Sequence, residues 1–152
     1  MIKILFFEDQ PYASENQLFR TLLRDHLKKT CTLQLREVKS VSKFEELMRK
    51  DKYDIVILDI MATVAKPFNW TGTNDEVPKS LTGVELLRRC RLAVYDQYYK
   101  DTPVYIRSAR GEPYVHSLCQ REGATGFFKA GVDDLQLIQE IELHCKDIIK
   151  RK

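Results

Sequence analysis

The stretch Tyr53–Asp59, YDIVILD, constrains the fold of this chain more than any other feature. It is almost continuously apolar and lacks the alternation of polar and apolar residues that marks a strand with one solvated face. Such a strand is usually buried on both faces, which indicates the centre of a parallel sheet. Asp59 then stands at the carboxyl end of the strand, the edge where open α/β sheets bind ligands. Taken alone, Asp59 is more simply interpreted as a loop cap, because Asp is common where strands end.

Length and composition bound what the rest of the chain can be. With 152 residues, 43% hydrophobic and 31% charged, we expect one domain of an ordinary soluble globular protein. The net charge of +3 gives no argument for nucleic-acid binding, and no segment has the length of a membrane span. The cysteines are far apart and form no C-x-x-C pair, which favours reduced thiols in a cytoplasmic protein over disulfides or a metal site. They are Cys31, Cys90, Cys119 and Cys145.

The remaining apolar patterns alternate between strand and helix. Strands are predicted at 2–7, 31–36, 103–106 and 127–128, the second of them half-buried and peripheral. Two helices are predicted to begin at capping boxes, Ser14–Gln17 and Ser42–Glu45. The predicted apolar stripes are Leu18, Leu22, Leu23 and Leu27 in the first helix, Val84, Leu87, Cys90 and Val94 in the third, and Leu135, Ile138, Ile141, Cys145 and Ile148 in the last. Five strands alternating with five helices predict an α/β, doubly wound parallel sheet with right-handed crossovers.

The segment after the central strand interrupts this alternation. Between Ile60 and Ser80 the periodicity stops, and Pro67, Gly72 and Pro78 mark a loop. We therefore expect a long inserted loop over 61–80. A structureless loop of this size is uncommon in a compact domain, and is usually functional or mobile.

Polar side chains follow four of the predicted strands. In a doubly wound sheet these strand ends meet near one crevice, so Glu8, Asp9, Asp59, Ser108 and Lys129 are expected to converge. Three crowded carboxylates repel one another unless a cation lies between them, and Mg²⁺ suits ligands that are all oxygen. Lys129 supplies a flexible positive charge and Ser108 a rotatable hydroxyl, and both groups suit the oxygens of a phosphoryl group.

One carboxylate of this set is a candidate nucleophile. A carboxylate can attack phosphorus and form an aspartyl-phosphate. Asp59 is the candidate because it stands alone on the central strand, whereas Glu8 and Asp9 are adjacent and form a metal-binding pair.

These positions, taken together, resemble the receiver domain of bacterial two-component response regulators, of the stand-alone CheY-like type. The resemblance covers essentially the whole chain, 1–152. Its motifs are Glu8-Asp9 after the first strand, Asp59 after the third, Ser108-Ala109 after Pro103–Ile106, Lys129 after Gly123-Ala124, and Thr82–Leu87 as the glycine-and-acid opening of the third helix.

The resemblance implies a flavodoxin-like sheet of strand order 2-1-3-4-5. It implies that Asp59 accepts a phosphoryl group from a histidine kinase or phosphotransfer protein. Glu8, Asp9, Asp59 and the backbone carbonyl of Met61 would hold Mg²⁺, and Ser108 and Lys129 would move onto the phosphoryl oxygens. The protein would catalyse only its own phosphorylation and dephosphorylation. Phosphorylation would change the surface of the fourth and fifth helices, which a downstream protein target would contact. Neither membrane binding nor direct nucleic-acid binding is expected.

The chain also departs from the family pattern. Ala130 stands where the family has a proline after a cis peptide bond, so we expect a trans bond and a reshaped loop at Lys129. Gly126 stands where the family has its switch aromatic. Phe127 or Phe128 could substitute for it, but both are interpreted as core residues. Arg107 is unusual in an otherwise apolar strand and is interpreted as a snorkelling or ion-paired side chain.

Two alternatives to a phosphorylation-dependent receiver domain remain. The chain could be a phosphorylation-independent pseudo-receiver that acts as a binding module, or the N-terminal receiver of a longer DNA-binding response regulator. Flavodoxin-like enzymes share the topology, but no glycine-rich phosphate loop follows the first strand.

Overall fold

The computed structural model describes residues 1–10, 13–61, 67–109 and 111–151. The strands are β1 (Ile2–Phe7), β2 (Leu33–Val38), β3 (Ile55–Leu58), β4 (Val104–Ser108) and β5 (Gly126–Lys129). The α-helices are α1 (Ser14–Leu27), α2 (Val41–Lys50), α3 (Thr82–Arg91), α4 (Pro113–Arg121) and α5 (Asp134–Arg151). Short 3-10 helices cover Lys79–Leu81 and Gln97–Lys100.

The strands form one parallel sheet in the order β2-β1-β3-β4-β5, so the expected α/β architecture and strand order are confirmed. All four residues of β3 are 0% exposed, as a central strand covered on both faces requires. β2 lies at an edge, where Leu33 and Leu35 are half-buried and Gln34 and Arg36 are exposed. Among the described residues, no helix is both long enough and apolar enough to cross a membrane.

The strands alternate their side chains between two helical layers. Val56 and Leu58 of β3 face the core shared with α2, α3 and α4, whereas Ile55 and Ile57 face the core shared with α1 and α5. Because alternate residues of a strand point to opposite faces of the sheet, the side chain of the last residue in each strand faces one of the two helical layers. This orientation decides which helices contact the carboxyl edge of the sheet.

Both predicted capping boxes are wrong. Ala13 is the N-cap of α1 and makes no side-chain cap, so Ser14 is already the first helical residue. The N-cap of α2 is Ser40, whose Oγ accepts a hydrogen bond from the Lys43 N–H at 3.2 Å. Ser42 lies inside the helix, where a serine cannot cap the first turn.

The predicted apolar stripes need three corrections. In α1 the predicted Leu23 and Leu27 are buried, whereas Leu18 and Leu22 are exposed and Phe19 is buried instead. Val94 lies beyond the end of α3 and is exposed. Leu135 is exposed on the first turn of α5, while the other four predicted stripe residues of α5 are buried.

The segment expected to be a structureless loop contains a hairpin. Residues 62–66 of the predicted 61–80 loop lie outside the described residues, but the part from Phe68 to Val77 is ordered by backbone pairing. The Trp70 N–H donates to Asp75 O and the Val77 N–H to Phe68 O, both at 2.9 Å, around an antiparallel bridge between Asn69 and Glu76.

Buried polar contacts attach this hairpin to α3. The backbone N–H and the hydroxyl of Thr71 both donate to Glu85 Oε1, and Glu85 is 0% exposed. Arg89 donates to the same oxygen at 3.0 Å, and its guanidinium lies over the Phe68 ring. Phe68 and Trp70 also pack against the core of that layer. The hairpin is therefore a fixed part of the α2–α3 side of the molecule.

Gly83 brings α3 into close contact with the end of β3. A Cβ at this position would lie 2.1 Å from the backbone oxygen of Asp59, a distance that no side chain can occupy. The Gly83 N–H donates to Ile60 O at 2.7 Å. Because the neighbouring atoms are backbone, they cannot rotate away, so glycine is required for this approach.

We expect Gly83→Ala to destabilise the fold by roughly 1–3 kcal/mol, because the added methyl group displaces the backbone at Asp59 and Ile60. Urea unfolding measures the change. Gly111→Ala is the matched control, since a Cβ there would meet only Lys129 Cδ at 3.9 Å. Equal stability of the two variants would contradict the close approach.

Candidate functional site

Three carboxylates meet at the carboxyl edge of the sheet. Glu8 and Asp9 follow β1, Asp59 follows the adjacent β3, and one carboxylate oxygen from each lies within 4.8 Å of the others. In the part of the chain that the structure describes, this is the one cluster of three or more side chains that could hold a metal ion. Backbone pairing fixes the positions, because the Asp59 N–H donates to Phe7 O at 3.0 Å and the Glu8 N–H to Val38 O at 2.9 Å.

Burial and mutual repulsion disfavour the ionised forms of these acids. Burial and the charges of Glu8 and Asp9 raise the pKa of Asp59 to about 7, against the weaker opposing effect of the Met61 and Ile60 N–H groups. The pKa of Glu8 is also raised, mainly by burial and further by Asp9, while the Gln10 N–H and the Arg107 and Arg20 charges act in the opposite direction. The cluster is therefore electrostatically unfavourable at neutral pH in the absence of a cation.

The carboxylates open into a cavity of ≈ 150 Å³. Ser108, the last residue of β4, is buried and lines this cavity together with Ala109 and Ala130. Met61 lines it too, and its backbone N–H lies 3.4 Å from Asp59 Oδ1. The structure thus brings together Glu8, Asp9, Asp59, Met61 and Ser108, all named from the sequence.

Lys129 lies at the rim of this site. It ends β5 directly beside Ser108, is exposed, and its backbone N–H donates to Asp133 Oδ2 at 2.9 Å. Its side chain runs past Gly111, and the cavity wall at this strand end is Ala130, whose N–H donates to Ser108 O at 2.9 Å. The described peptide bonds are all trans, as expected for Lys129–Ala130.

The aromatic residues of β5 pack into the two cores as predicted. Phe127 packs against the α2–α3–α4 core and stacks on His116 with ring centroids 4.7 Å apart, and Phe128 packs against the α1–α5 core. A Cβ at Gly126 would lie 2.7 Å from the Phe128 ring, so a larger residue there would require that ring to move.

Sequence reasoning missed Asn16 and Gln10, through which Arg107 is connected to Glu8. Arg107 is buried and paired with Asp134, which confirms the ion-paired interpretation. Its Nη1 also donates to Asn16 Oδ1 at 2.6 Å, and Asn16 donates to the carbonyl of Gln10. The only signal for this network in the sequence was the charge of Arg107 within an apolar strand.

The donor set fits a hard divalent cation. Its three acidic residues offer only oxygen ligands, and the crowding that raises the pKa values of Asp59 and Glu8 would be relieved by positive charge between them.

The raised pKa of Asp59 predicts how stability depends on pH without metal. Between about pH 4 and pH 7 the folded state keeps a proton that the unfolded state has lost, so stability falls as pH rises through this window. Asp59→Asn removes the repelled charge. We expect it to be more stable than the wild type by roughly 1–3 kcal/mol near pH 8, and by much less near pH 5.

Urea unfolding in a chelating buffer at the two pH values measures this difference. Asp147→Asn on the exposed face of α5 is the control and should show no such pH-dependent gain. A loss of stability in Asp59→Asn near pH 8 would contradict the repulsion.

Comparison with known proteins identifies the fold. No protein-family model and no curated protein matches the chain. Among solved structures, it is similar to the BeF3-activated N-terminal receiver domain of RstA from Klebsiella pneumoniae, with 23% identity, a TM-score of 0.64 and coverage of 95% of this chain and 98% of that one.

Two further receiver structures give the same result. The chemotaxis protein CheY4 of Vibrio cholerae has 16% identity and a TM-score of 0.63, over 94% of this chain and 98% of that one. The receiver domain of Francisella response regulator 1452 has 16% identity and a TM-score of 0.64, over 97% and 99%. Although sequence identity is low, this chain has the fold of the receiver domains of response regulators.

Proposed function

We propose that this chain is a phosphorylation-dependent receiver domain in which Asp59 is the phosphoacceptor. Glu8, Asp9 and Asp59 would hold Mg²⁺, together with the backbone carbonyl of Met61. The observation that carries the proposal is the convergence of three carboxylates within 4.8 Å at the edge of a receiver-type sheet. A structural role for this cluster is poorly supported, because like charges held this close destabilise the fold.

Asp59 is the member of the cluster best suited to be the nucleophile. It follows the central strand and lines the cavity, and its backbone is fixed from both sides by Phe7 and by the close approach of Gly83. In the transfer, a carboxylate oxygen of Asp59 would form a bond to phosphorus as the bond between phosphorus and the donor's histidine nitrogen breaks. Such a reaction requires positioning and charge neutralisation rather than further covalent chemistry.

The cation and two side chains would supply that neutralisation. A bound Mg²⁺ would keep Asp59 ionised and offset the charge of the phosphoryl oxygens. The Ser108 hydroxyl, already at the cavity, would donate to one oxygen. Lys129 would have to swing inward from its exposed position at the rim to reach another. The domain would thus catalyse only its own phosphorylation and dephosphorylation.

The phosphoryl donor would be a histidine kinase or phosphotransfer protein. The signal would pass to a protein that contacts α4 and α5. Phosphorylation adds nearly two negative charges beside Ser108. Ser108 accepts a backbone hydrogen bond from Ala130, which leads into α5, and α4 follows the Ser108 end of β4. A shift of Ser108 toward the phosphoryl group would therefore act on both helices. Membrane or nucleic-acid contacts are not needed for this function.

Incubation with Mg²⁺ and acetyl phosphate tests the proposal. We expect the intact mass of the wild type to increase by one phosphoryl group, with a label that hydroxylamine removes. Asp59→Asn should remain unlabelled, and Asp9→Asn should be labelled at least about tenfold more slowly because the cation is held less well.

Asp147→Asn, remote from the cavity, is the control and should be labelled like the wild type. Label that persists in Asp59→Asn would refute Asp59 as the acceptor. A wild type that neither binds Mg²⁺ nor gains mass would instead support the binding-module alternative.

A further inference from the structure

Arg107 is a buried cation beside the acidic cavity. It is 2% exposed and lies next to Ser108 on β4, on the face of the sheet that packs against α1 and α5. Its guanidinium lies over the Phe19 ring of α1, 4.4 Å from the centroid, and Arg107 lines the same cavity as the three carboxylates. An arginine is rarely buried to this extent unless its donors are used.

The guanidinium contacts both helices of this layer. Nε and Nη2 donate to the two carboxylate oxygens of Asp134, at 2.8 and 3.0 Å, and Asp134 is the first residue of α5. Nη1 donates to Asn16 Oδ1 in the first turn of α1 at 2.6 Å. The two-bond pairing fixes the plane of the guanidinium, and therefore the direction in which Nη1 points.

The contact with Asn16 continues to a proposed metal ligand. Asn16 Nδ2 donates to Gln10 O at 2.9 Å, and the Gln10 N–H donates to Glu8 Oε1. A continuous path of hydrogen bonds thus joins the start of α5 to Glu8 through Arg107, Asn16 and the Gln10 backbone. Its last contact engages Glu8 Oε1 and so restrains the orientation of the Glu8 carboxylate.

We infer that Arg107 is a positioning residue for the cation site: through Asn16 and Gln10 it orients Glu8 for Mg²⁺, and through Asp134 it couples that site to α5. The inference rests on the proposed function and adds a residue to it. Groups that orient a metal ligand without touching the metal commonly change metal affinity by 10- to 100-fold.

Whether Mg²⁺ binding weakens or strengthens when Arg107 is removed distinguishes a positioning role from an effect of its charge. Arg107 carries a positive charge near the cavity, so if charge alone mattered, its removal would strengthen Mg²⁺ binding. If Arg107 orients Glu8, its removal frees the Asn16 side chain and the Gln10 segment, and Mg²⁺ binding weakens. A role in folding alone would change stability and leave the affinity as it is.

Arg89 provides a matched comparison. It is also a largely buried arginine, with 17% of its side chain exposed, and it pairs with two carboxylates, Glu45 at 2.7 Å and Glu85 at 3.0 Å. It lies in the α2–α3 layer, on the opposite face of the sheet from Arg107. Its loss should destabilise the fold comparably without touching the path to Glu8.

Titration calorimetry with Mg²⁺ alone near pH 8, on the wild type, Arg107→Met and Arg89→Met, tests the inference. We expect Mg²⁺ to bind Arg107→Met about tenfold more weakly than the wild type, and Arg89→Met with unchanged affinity, although urea unfolding should show both variants to be destabilised. Asn16→Ala keeps the Arg107–Asp134 pair but breaks the path, and should reproduce the weakened binding. If Arg107→Met fails to fold, Asn16→Ala still tests the path to Glu8.

Unchanged or tighter Mg²⁺ binding in Arg107→Met, or unchanged binding in Asn16→Ala, would overturn the positioning role while leaving the proposed function intact. Equal weakening in Arg89→Met would also overturn it, because the effect would then follow general destabilisation. A wild type that does not bind Mg²⁺ would overturn both the inference and the proposed function.

Discussion

The sheet holds Glu8, Asp9 and Asp59 in one crowded cluster. Their carboxylates converge because β1 and β3 are paired neighbours whose ends fall at the same edge of the sheet. The backbone positions are held by sheet bonds such as that from the Asp59 N–H to Phe7 O. The fold therefore holds like charges together, and burial raises the pKa of Asp59 further. Because a bound cation relieves this repulsion, such a site favours cation binding.

The two faces of the sheet support this site in different ways. On the α3 side the support is steric: Gly83 allows the helix to press on the Asp59 backbone, and the hairpin after β3 is attached to the same helix through Glu85. On the α1–α5 side the support is polar, through the buried pair of Arg107 and Asp134. Under the proposed function, this pair would connect the site to α5.

Sequence reasoning predicted the sheet and the site because both depend on simple rules. Apolar runs such as Ile55–Leu58 identify buried strands, and topology then collects the residues that follow them. The two predicted capping boxes were wrong because Ser-x-x-Glu also occurs inside a helix, as at Ser42. The hairpin was missed because it contains a single bridge, which is too short to leave a strand pattern in the sequence. The Arg107 network was missed because its contacts are distant in sequence, with Arg107 and Asn16 separated by 91 positions. No local pattern encodes such pairs.

We propose that Asp59 and its acidic neighbours form one cation-dependent phosphoacceptor site. A crystal structure of the protein grown with Mg²⁺ and beryllofluoride, a phosphoryl mimic, tests it most directly. We expect beryllium bonded to an Asp59 carboxylate oxygen, Mg²⁺ in contact with Asp59 and at least one of Glu8 and Asp9, and Ser108 donating to a fluoride. Beryllofluoride bound to another carboxylate, or Mg²⁺ bound away from this cluster, would contradict it.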